Sequence, residues 1–79
     1  ALAHGFFHEP TIFTGVRAGS RLEQEEVFGP VLAVLRVADA DAAFAINNGV
    51  RYGLSSSVYT ADVSVAFRAL NELDNGITY

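Results

Sequence analysis

The spacing of apolar residues along the chain predicts an alternation of strands and helices. Thr11-Ile12-Phe13 follow Pro10, whose fixed φ suits the first position of a strand. Val31 to Leu35 form a continuous apolar run, which is typical of a strand covered on both faces of a parallel sheet. A third strand is predicted in which Leu54, Ser56 and Val58 alternate with Ser55, Ser57 and Tyr59, and its serines suggest that it is less buried. Gly76 to Tyr79 begin a last apolar, β-branched run.

Two helices are predicted between these strands. Asp39 or Asp41 can cap the first, which Gly49 ends and in which Ala40, Ala43, Phe44 and Asn47 fall on one helical stripe. Asp62 caps the second, which Asn75-Gly76 closes and whose stripe comprises Val63, Ala66, Phe67, Leu70 and Leu73. The pattern predicts an α/β fold, a βαβαβ unit with a mostly parallel sheet, helices packed on it and right-handed crossovers.

Length and composition narrow the function classes. With 79 residues the chain is at most one compact unit, and its 51% hydrophobic content is too high for a disordered segment. It has no cysteine for disulfides, and His4 and His8 have no further ligand at metal-binding spacing. The net charge is −4 and the five basic residues are scattered arginines, which argues against a nucleic-acid surface. No apolar run approaches the ~20 residues that span a bilayer.

The ends of the chain suggest an incomplete domain. Neither an initiator methionine nor a secretory signal pattern opens the sequence, and the last strand stops with no turn after it. We therefore expect both ends to be cuts, the compartment to be the cytoplasm, and the missing support for a small core to be a partner surface.

The segment from Glu25 to Pro30 carries the most distinctive chemistry. It places two carboxylates, an aromatic ring and a Gly-Pro pair directly before the second strand. A carboxylate is the natural acceptor for the hydroxyls of a ribose, and Glu26 and Phe28 face the same way if the loop is extended. Taken alone, these residues favour a plainer interpretation, in which the acidic pair is a solvated turn and Phe28 is a core aromatic.

A family resemblance changes that weighting. Four landmarks occur in the order and spacing of the aldehyde dehydrogenase superfamily, and together they cover nearly the whole chain. They are Pro10-Thr11-Ile12-Phe13, Gln24 through Val31, Asn48 with Tyr52-Gly53-Leu54, and Gly76-Ile77. The Glu-Glu-Val-Phe-Gly-Pro-Val core is the most specific of them. The chain thus resembles the C-terminal part of an aldehyde dehydrogenase catalytic domain, as a single incomplete domain over residues 1–79.

The resemblance implies a parent enzyme that oxidises an aldehyde to a carboxylic acid with NAD or NADP. Glu26 would hydrogen-bond the nicotinamide ribose, Phe28 would pack beside it, and Glu25 would be a structural neighbour. The family's cysteine nucleophile, general base and dinucleotide domain precede the matched region, so this chain is expected to be inactive alone. The partners of this chain would be a small aldehyde substrate and the remainder of the parent enzyme. Since oligomers are usual in the family, the parent is expected to be a homo-oligomer.

Other residues have plainer interpretations, and one alternative function stays open. Asn48 and Tyr52 are interpreted as structural, Ser55-Ser56-Ser57 as strand residues, and both histidines as surface residues. The Gly-Leu-Ser-Ser-Ser and Gly-Ile-Thr-Tyr segments lean toward family members that act on semialdehydes. The isolated chain should bind the cofactor weakly and be marginally stable. The alternative is a free-standing, non-catalytic α/β interaction or structural module.

Overall fold

The computed structural model describes residues 3–79, and the chain divides into two compact units, Ala1–Arg36 and Val37–Tyr79. The α/β class is confirmed, because both strand pairs are parallel and a helix lies between the two strands of each pair along the chain. The predicted elements are all present, although most strands are shorter than the sequence pattern suggests.

The first unit contains β1 (Thr11–Phe13), α1 (Arg21–Gln24) and β2 (Val31–Ala33). β1 pairs with β2 in parallel, with Thr11 opposite Val31, and the Val34 N–H extends the ladder to the Phe13 carbonyl at 2.8 Å. The prediction for β1 is confirmed, whereas β2 ends at Ala33 rather than Leu35. The short helix α1 was not predicted, because four mostly polar residues give no apolar stripe to detect.

The second unit contains α2 (Ala40–Asn48), β3 (Ser55–Ser56), α3 (Val63–Glu72) and β4 (Ile77–Thr78). Of the two candidate caps for α2, the structure selects Asp39, whose carboxylate accepts the Ala42 N–H at 2.8 Å. Asp62 caps α3 as predicted and accepts the Ser64 N–H at 2.8 Å. α3 ends at Glu72, before the predicted stop at Asn75-Gly76.

The strands form two separate pairs, β1 with β2 and β3 with β4, rather than one sheet. The prediction of β2 as a fully covered strand is wrong for this chain, since Leu32 is 56% exposed. An apolar run indicates that a strand has two faces to cover, but it carries no information about which segment covers them. Within residues 3–79, neither pair gains a third strand.

The buried core of the described residues consists of Phe44 on α2 and Ala69 on α3. The predicted α2 stripe is confirmed, because Phe44 is buried and its stripe neighbours are partly buried. The α3 stripe is only partly covered in this chain, since Val63, Phe67 and Leu70 are mostly exposed. None of the helices in residues 3–79 has the length and apolar character needed to cross a membrane.

Candidate functional site

The acidic loop, Glu25–Pro30, connects the end of α1 to the start of β2. Because β1 and β2 are parallel, this loop lies at the amino end of the pair, where Pro10 also leads into β1. Ligand sites of parallel sheets more often lie at the carboxyl ends of the strands, so this loop lies at the opposite end from the usual site. The shape of the loop is set by its own turn residues and by a hydrogen bond to β1.

Two residues determine how the acidic loop enters β2. Gly29 has φ +107°, a conformation that residues with a side chain rarely adopt, although open space surrounds the position of a Cβ atom there. The Val31 N–H donates to the Gly29 carbonyl at 2.9 Å across Pro30, and the Pro30 carbonyl accepts the Thr11 N–H at 2.8 Å. The Gly-Pro pair thus makes a tight turn that is tied to β1.

The first carboxylate of the acidic loop is engaged within the chain. Arg21 donates from Nε to Glu25 Oε1 and from Nη2 to Glu25 Oε2, both at 3.1 Å. The Arg21 guanidinium lowers the pKa of Glu25, chiefly through these hydrogen bonds, so the carboxylate is held ionised. Arg21 therefore holds the Glu25 carboxylate within the chain, and the role of Glu25 as a structural neighbour of the cofactor contact stays a prediction.

The second carboxylate is left available. Glu26 is exposed, and within residues 3–79 its carboxylate accepts no hydrogen bond and forms no ion pair. Phe28 is 86% exposed, so its interpretation as a core aromatic is wrong for this chain. The loop therefore presents an ionisable acceptor and an aromatic ring two residues apart, both without intramolecular partners that a ligand would need to displace.

An open surface depression of about 370 Å³ lies along Phe7, His8, Glu9 and Pro10, the segment that leads into β1. The His8 ring contacts the Glu9 carbonyl through Nδ1 at 2.7 Å, and both histidines are exposed. No group of three or more metal-ligating side chains occurs among residues 3–79. This depression is a crevice along one stretch of chain, with no converging polar groups of the kind that define a small-molecule site.

The residues interpreted as structural behave accordingly in most cases. Ser55 and Ser56 form β3, and the Ser56 hydroxyl hydrogen-bonds the Thr78 hydroxyl at 2.9 Å across the strand pair. Asn48 Nδ2 donates to the Glu72 carbonyl at 2.7 Å, and its Oδ1 accepts the Asp74 N–H at 2.8 Å. Tyr52, which was also interpreted as structural, is 48% exposed.

Asn48 belongs to an amide clamp, defined here as Asn47, Asn48 and Asn75. Asn47 Nδ2 donates to Asn48 Oδ1 at 3.0 Å and to Asn75 Oδ1 at 2.8 Å. The clamp joins the end of α2 to the end of α3, so Asn48 satisfies the neighbouring helix rather than its own. The last carbonyl groups of a helix have no partner within the helix, and the Asn48 amide nitrogen supplies one for the Glu72 carbonyl at the end of α3.

Sequence reasoning missed an arginine that joins the two helices of the second unit. Arg68 Nη2 donates to Asp41 Oδ1 at 2.6 Å and its Nε to Glu72 Oε1 at 2.8 Å, while the guanidinium lies 5.2 Å from the Phe44 ring centroid. These contacts raise the pKa of Arg68 and lower that of Glu72. The i,i+4 spacing of Arg68 and Glu72, repeated in Arg21 and Glu25, was the available signal.

The family model described as the aldehyde dehydrogenase family matches residues 1–79. The chain belongs to the aldehyde dehydrogenase family. Among curated relatives, α-ketoglutarate semialdehyde dehydrogenase of Haloferax volcanii is 48% identical over 77 residues, which cover 98% of this chain and 16% of that protein. This aldehyde dehydrogenase chain therefore spans about one sixth of the length of that relative.

Solved structures agree with that assignment. A 1-pyrroline-5-carboxylate dehydrogenase from Thermus with bound NAD superimposes with a TM-score of 0.91 at 41% identity, over 96% of this chain and 15% of that one. An indole-3-acetaldehyde dehydrogenase in complex with NAD+ gives a TM-score of 0.84 at 45% identity, over 90% of this chain and 14% of that one. Both matched structures contain the dinucleotide.

Proposed function

We propose that this chain supplies the nicotinamide-ribose contact of an NAD(P)-dependent aldehyde dehydrogenase. The observation that carries the proposal is a difference between the two carboxylates of the acidic loop. Arg21 hydrogen-bonds Glu25, whereas the Glu26 carboxylate accepts no hydrogen bond within residues 3–79 and can therefore accept one from a ligand. Glu26 would accept hydrogen bonds from the ribose hydroxyls, and the Phe28 ring would pack beside the sugar. The NAD-bound relatives support this choice of cofactor class.

The residues fit that group on chemical grounds. An exposed carboxylate can accept two hydroxyl donors at once, and charge-assisted hydrogen bonds of this kind are stronger than neutral ones. The Gly29-Pro30 turn restricts the backbone immediately after Phe28, which reduces the entropy lost when a ligand is held. A bound nicotinamide would supply the hydride acceptor for the oxidation of the aldehyde. Glu26 and Phe28 orient it and carry no proton in the reaction.

We propose further that the whole enzyme oxidises a small aldehyde, of the semialdehyde class, to a carboxylic acid in the cytoplasm as a homo-oligomer. The semialdehyde class is supported by the Haloferax volcanii relative, whose name specifies such a substrate. The chain contains no cysteine, so the nucleophile that the family uses would come from sequence outside these 79 residues. A free-standing, non-catalytic module is the competing function, and the experiment below separates the two.

The test places this chain in the corresponding segment of the full-length Haloferax volcanii relative and compares Glu26→Gln with Glu25→Gln. We expect Glu26→Gln to lower the rate of hydride transfer roughly tenfold to a hundredfold, the loss of one or two hydrogen bonds to a charged acceptor. Hydride transfer would be followed by single-turnover appearance of the reduced cofactor, with a deuterated aldehyde to identify the chemical step. A kinetic profile for Glu26→Gln that matches the unsubstituted chimera would contradict the proposal.

Glu25→Gln is the matched control, because it removes the same charge from the neighbouring residue. Since Arg21 already engages Glu25, we expect this variant to change hydride transfer little. An inactive but folded chimera would favour the non-catalytic module.

A further inference from the structure

The second unit contains two Asn-Gly pairs, Asn48-Gly49 and Asn75-Gly76, in contrasting environments. Asparagine before glycine is chemically labile, because the unhindered glycine nitrogen can attack the asparagine side-chain carbonyl. That attack needs a rotatable backbone at the asparagine and a glycine N–H that is not held elsewhere. The structure allows the two pairs to be compared within one molecule.

The first pair is restrained at every group the reaction uses. Asn48 is the last residue of α2, and the Gly49 N–H donates to the Ile46 carbonyl at 3.1 Å. The Asn48 amide nitrogen, which would have to leave, donates to the Glu72 carbonyl at 2.7 Å, and Asn48 Oδ1 accepts the Asp74 N–H at 2.8 Å. Ring closure at Asn48 therefore requires the helix end and the amide clamp to open first.

The second pair lacks those restraints. Asn75 and Gly76 lie between α3 and β4, outside any helix or strand. Within residues 37–79 the Gly76 N–H donates no hydrogen bond, and the Asn75 amide nitrogen has no hydrogen-bond acceptor. One contact from Asn47 Nδ2 to Asn75 Oδ1, at 2.8 Å, is the hydrogen bond that orients this side chain.

The fold also explains why a glycine follows Asn75. A Cβ atom at position 76 would lie 3.0 Å from the Leu54 carbonyl oxygen, because the chain passes close to β3 as it enters β4. A larger residue would push against backbone rather than a flexible side chain. A glycine therefore fits this close approach without moving the Leu54 carbonyl, and the same glycine makes Asn75 labile.

We propose that Asn75 is a site of spontaneous deamidation, whereas Asn48 is protected by the fold. The Gly76 nitrogen bonds to Asn75 Cγ and loses its proton, and the bond from Cγ to the amide nitrogen breaks, releasing ammonia and leaving a succinimide. Water then opens the ring at either carbonyl to give aspartate or isoaspartate. No oxidation or reduction occurs, and solvent water is the co-reactant.

The modification has a structural consequence next to β4. Isoaspartate adds a methylene to the backbone directly before Gly76, and Ile77 and Thr78 pair with Ser55 and Ser56 immediately afterwards. A longer connection displaces the register set by the Ile77 N–H, which donates to the Leu54 carbonyl at 3.1 Å. Deamidation is thus expected to loosen the β3–β4 pair over time.

The test incubates the 79-residue chain at mildly alkaline pH in native buffer and in concentrated urea, followed by trypsin and tandem mass spectrometry. Cleavage after Arg36, Arg51 and Arg68 puts the two Asn-Gly pairs on different peptides, 37–51 and 69–79. We expect Asn48 to convert at least about tenfold more slowly than Asn75 in native buffer, because local opening limits it. In urea the two rates should become similar.

Asn75→Gln is the control variant, since a glutamine at this position closes its ring far more slowly while keeping the amide. It should abolish conversion at position 75 of peptide 69–79. Isoaspartyl methyltransferase labelling of the incubated wild-type chain should appear in peptide 69–79. Equal native rates at the two asparagines, or faster conversion at Asn48, would overturn the proposal.

Discussion

The acidic loop of the first unit and the amide clamp of the second use similar polar side chains in opposite ways. Glu26 and Phe28 are exposed and have no intramolecular hydrogen-bond partner within residues 3–79. In the clamp, Asn48 uses both its amide nitrogen and its oxygen within the chain. A residue that binds a ligand must keep hydrogen-bonding capacity free, whereas a residue that stabilises a fold is most effective when that capacity is filled.

The two i,i+4 arginine–glutamate pairs repeat the contrast. Arg21 and Glu25 form an isolated, solvent-exposed pair on a four-residue helix. Arg68 and Glu72 form the same pair within α3, but the guanidinium also bonds Asp41 on α2 and lies over the Phe44 ring. The same local spacing therefore fixes a loop residue in one unit, whereas in the other unit the arginine of the pair also bonds a second helix.

The largest effect should come from the core of the second unit. Phe44→Ala removes the buried aromatic between α2 and α3, and we expect a loss of about 3 kcal/mol in the free energy of unfolding. In a marginally stable chain that loss would abolish the cooperative urea transition followed by far-UV circular dichroism. Phe67→Ala, at a residue 63% exposed, should cost less than about 1 kcal/mol. Similar losses for the two variants would mean that Phe44 is not the core.

An intermediate effect is expected at the clamp. Asn48→Ala leaves the Glu72 carbonyl and the Asp74 N–H without their partner, and should cost about 1 kcal/mol in the free energy of unfolding. Asn71→Ala is the matched control, because Asn71 Nδ2 bonds only the Phe67 carbonyl of its own helix. Urea titration of both variants would check this. Equal free energies of unfolding for Asn48→Ala and the wild type would show that the clamp does not stabilise the end of α3.

The smallest effect concerns acid sensitivity. Arg68 lowers the pKa of Glu72 in the folded chain, so the pair's stabilisation is complete above the ordinary glutamate pKa of 4.5 and is lost as pH falls through the lower folded value. We expect Glu72→Gln to lower stability slightly at neutral pH, where the wild-type pair is intact, and to approach the wild type in acid, so that the dependence of stability on pH below about 4.5 becomes flatter. Thermal unfolding across a pH series would measure it.

Glu25→Gln extends that comparison to the first unit, because Arg21 lowers the pKa of Glu25 in the same direction. This pair links no second helix, so the variant should flatten the acid limb less than Glu72→Gln. A larger change in the acid dependence for Glu25→Gln would contradict the expectation that the Arg68–Glu72 pair, which also bonds Asp41, stabilises the chain more than the isolated Arg21–Glu25 pair.

Local features were predictable where the physics is local. β1, the Asp62 cap of α3 and the stop of α2 at Gly49 follow from residues within a few positions of one another. The acidic loop was also identifiable, through a family motif that is contiguous in the chain. α1 was missed because Arg21–Gln24 is too short and polar to show a helical apolar period.

Contacts between distant positions could not be derived in this way. Asn48 meets the Glu72 carbonyl across 24 residues, and Arg68 reaches Asp41 across 27. The sequence shows that such side chains can donate or accept, but their partners depend on how α2 and α3 pack. The same limit explains why the strand pairing was predicted as a single sheet.

By itself, the sequence determined the family, the α/β class, the Asp62 cap of α3 and the loop that carries Glu26 and Phe28, because each depends on neighbouring residues or on a contiguous motif. The tertiary structure decided which strands pair, which helix face Phe44 and Ala69 bury, and which acidic residue Arg68 reaches on the neighbouring helix. Those outcomes depend on side chains that meet only after folding, such as Arg68 and Asp41, which lie 27 residues apart in the sequence.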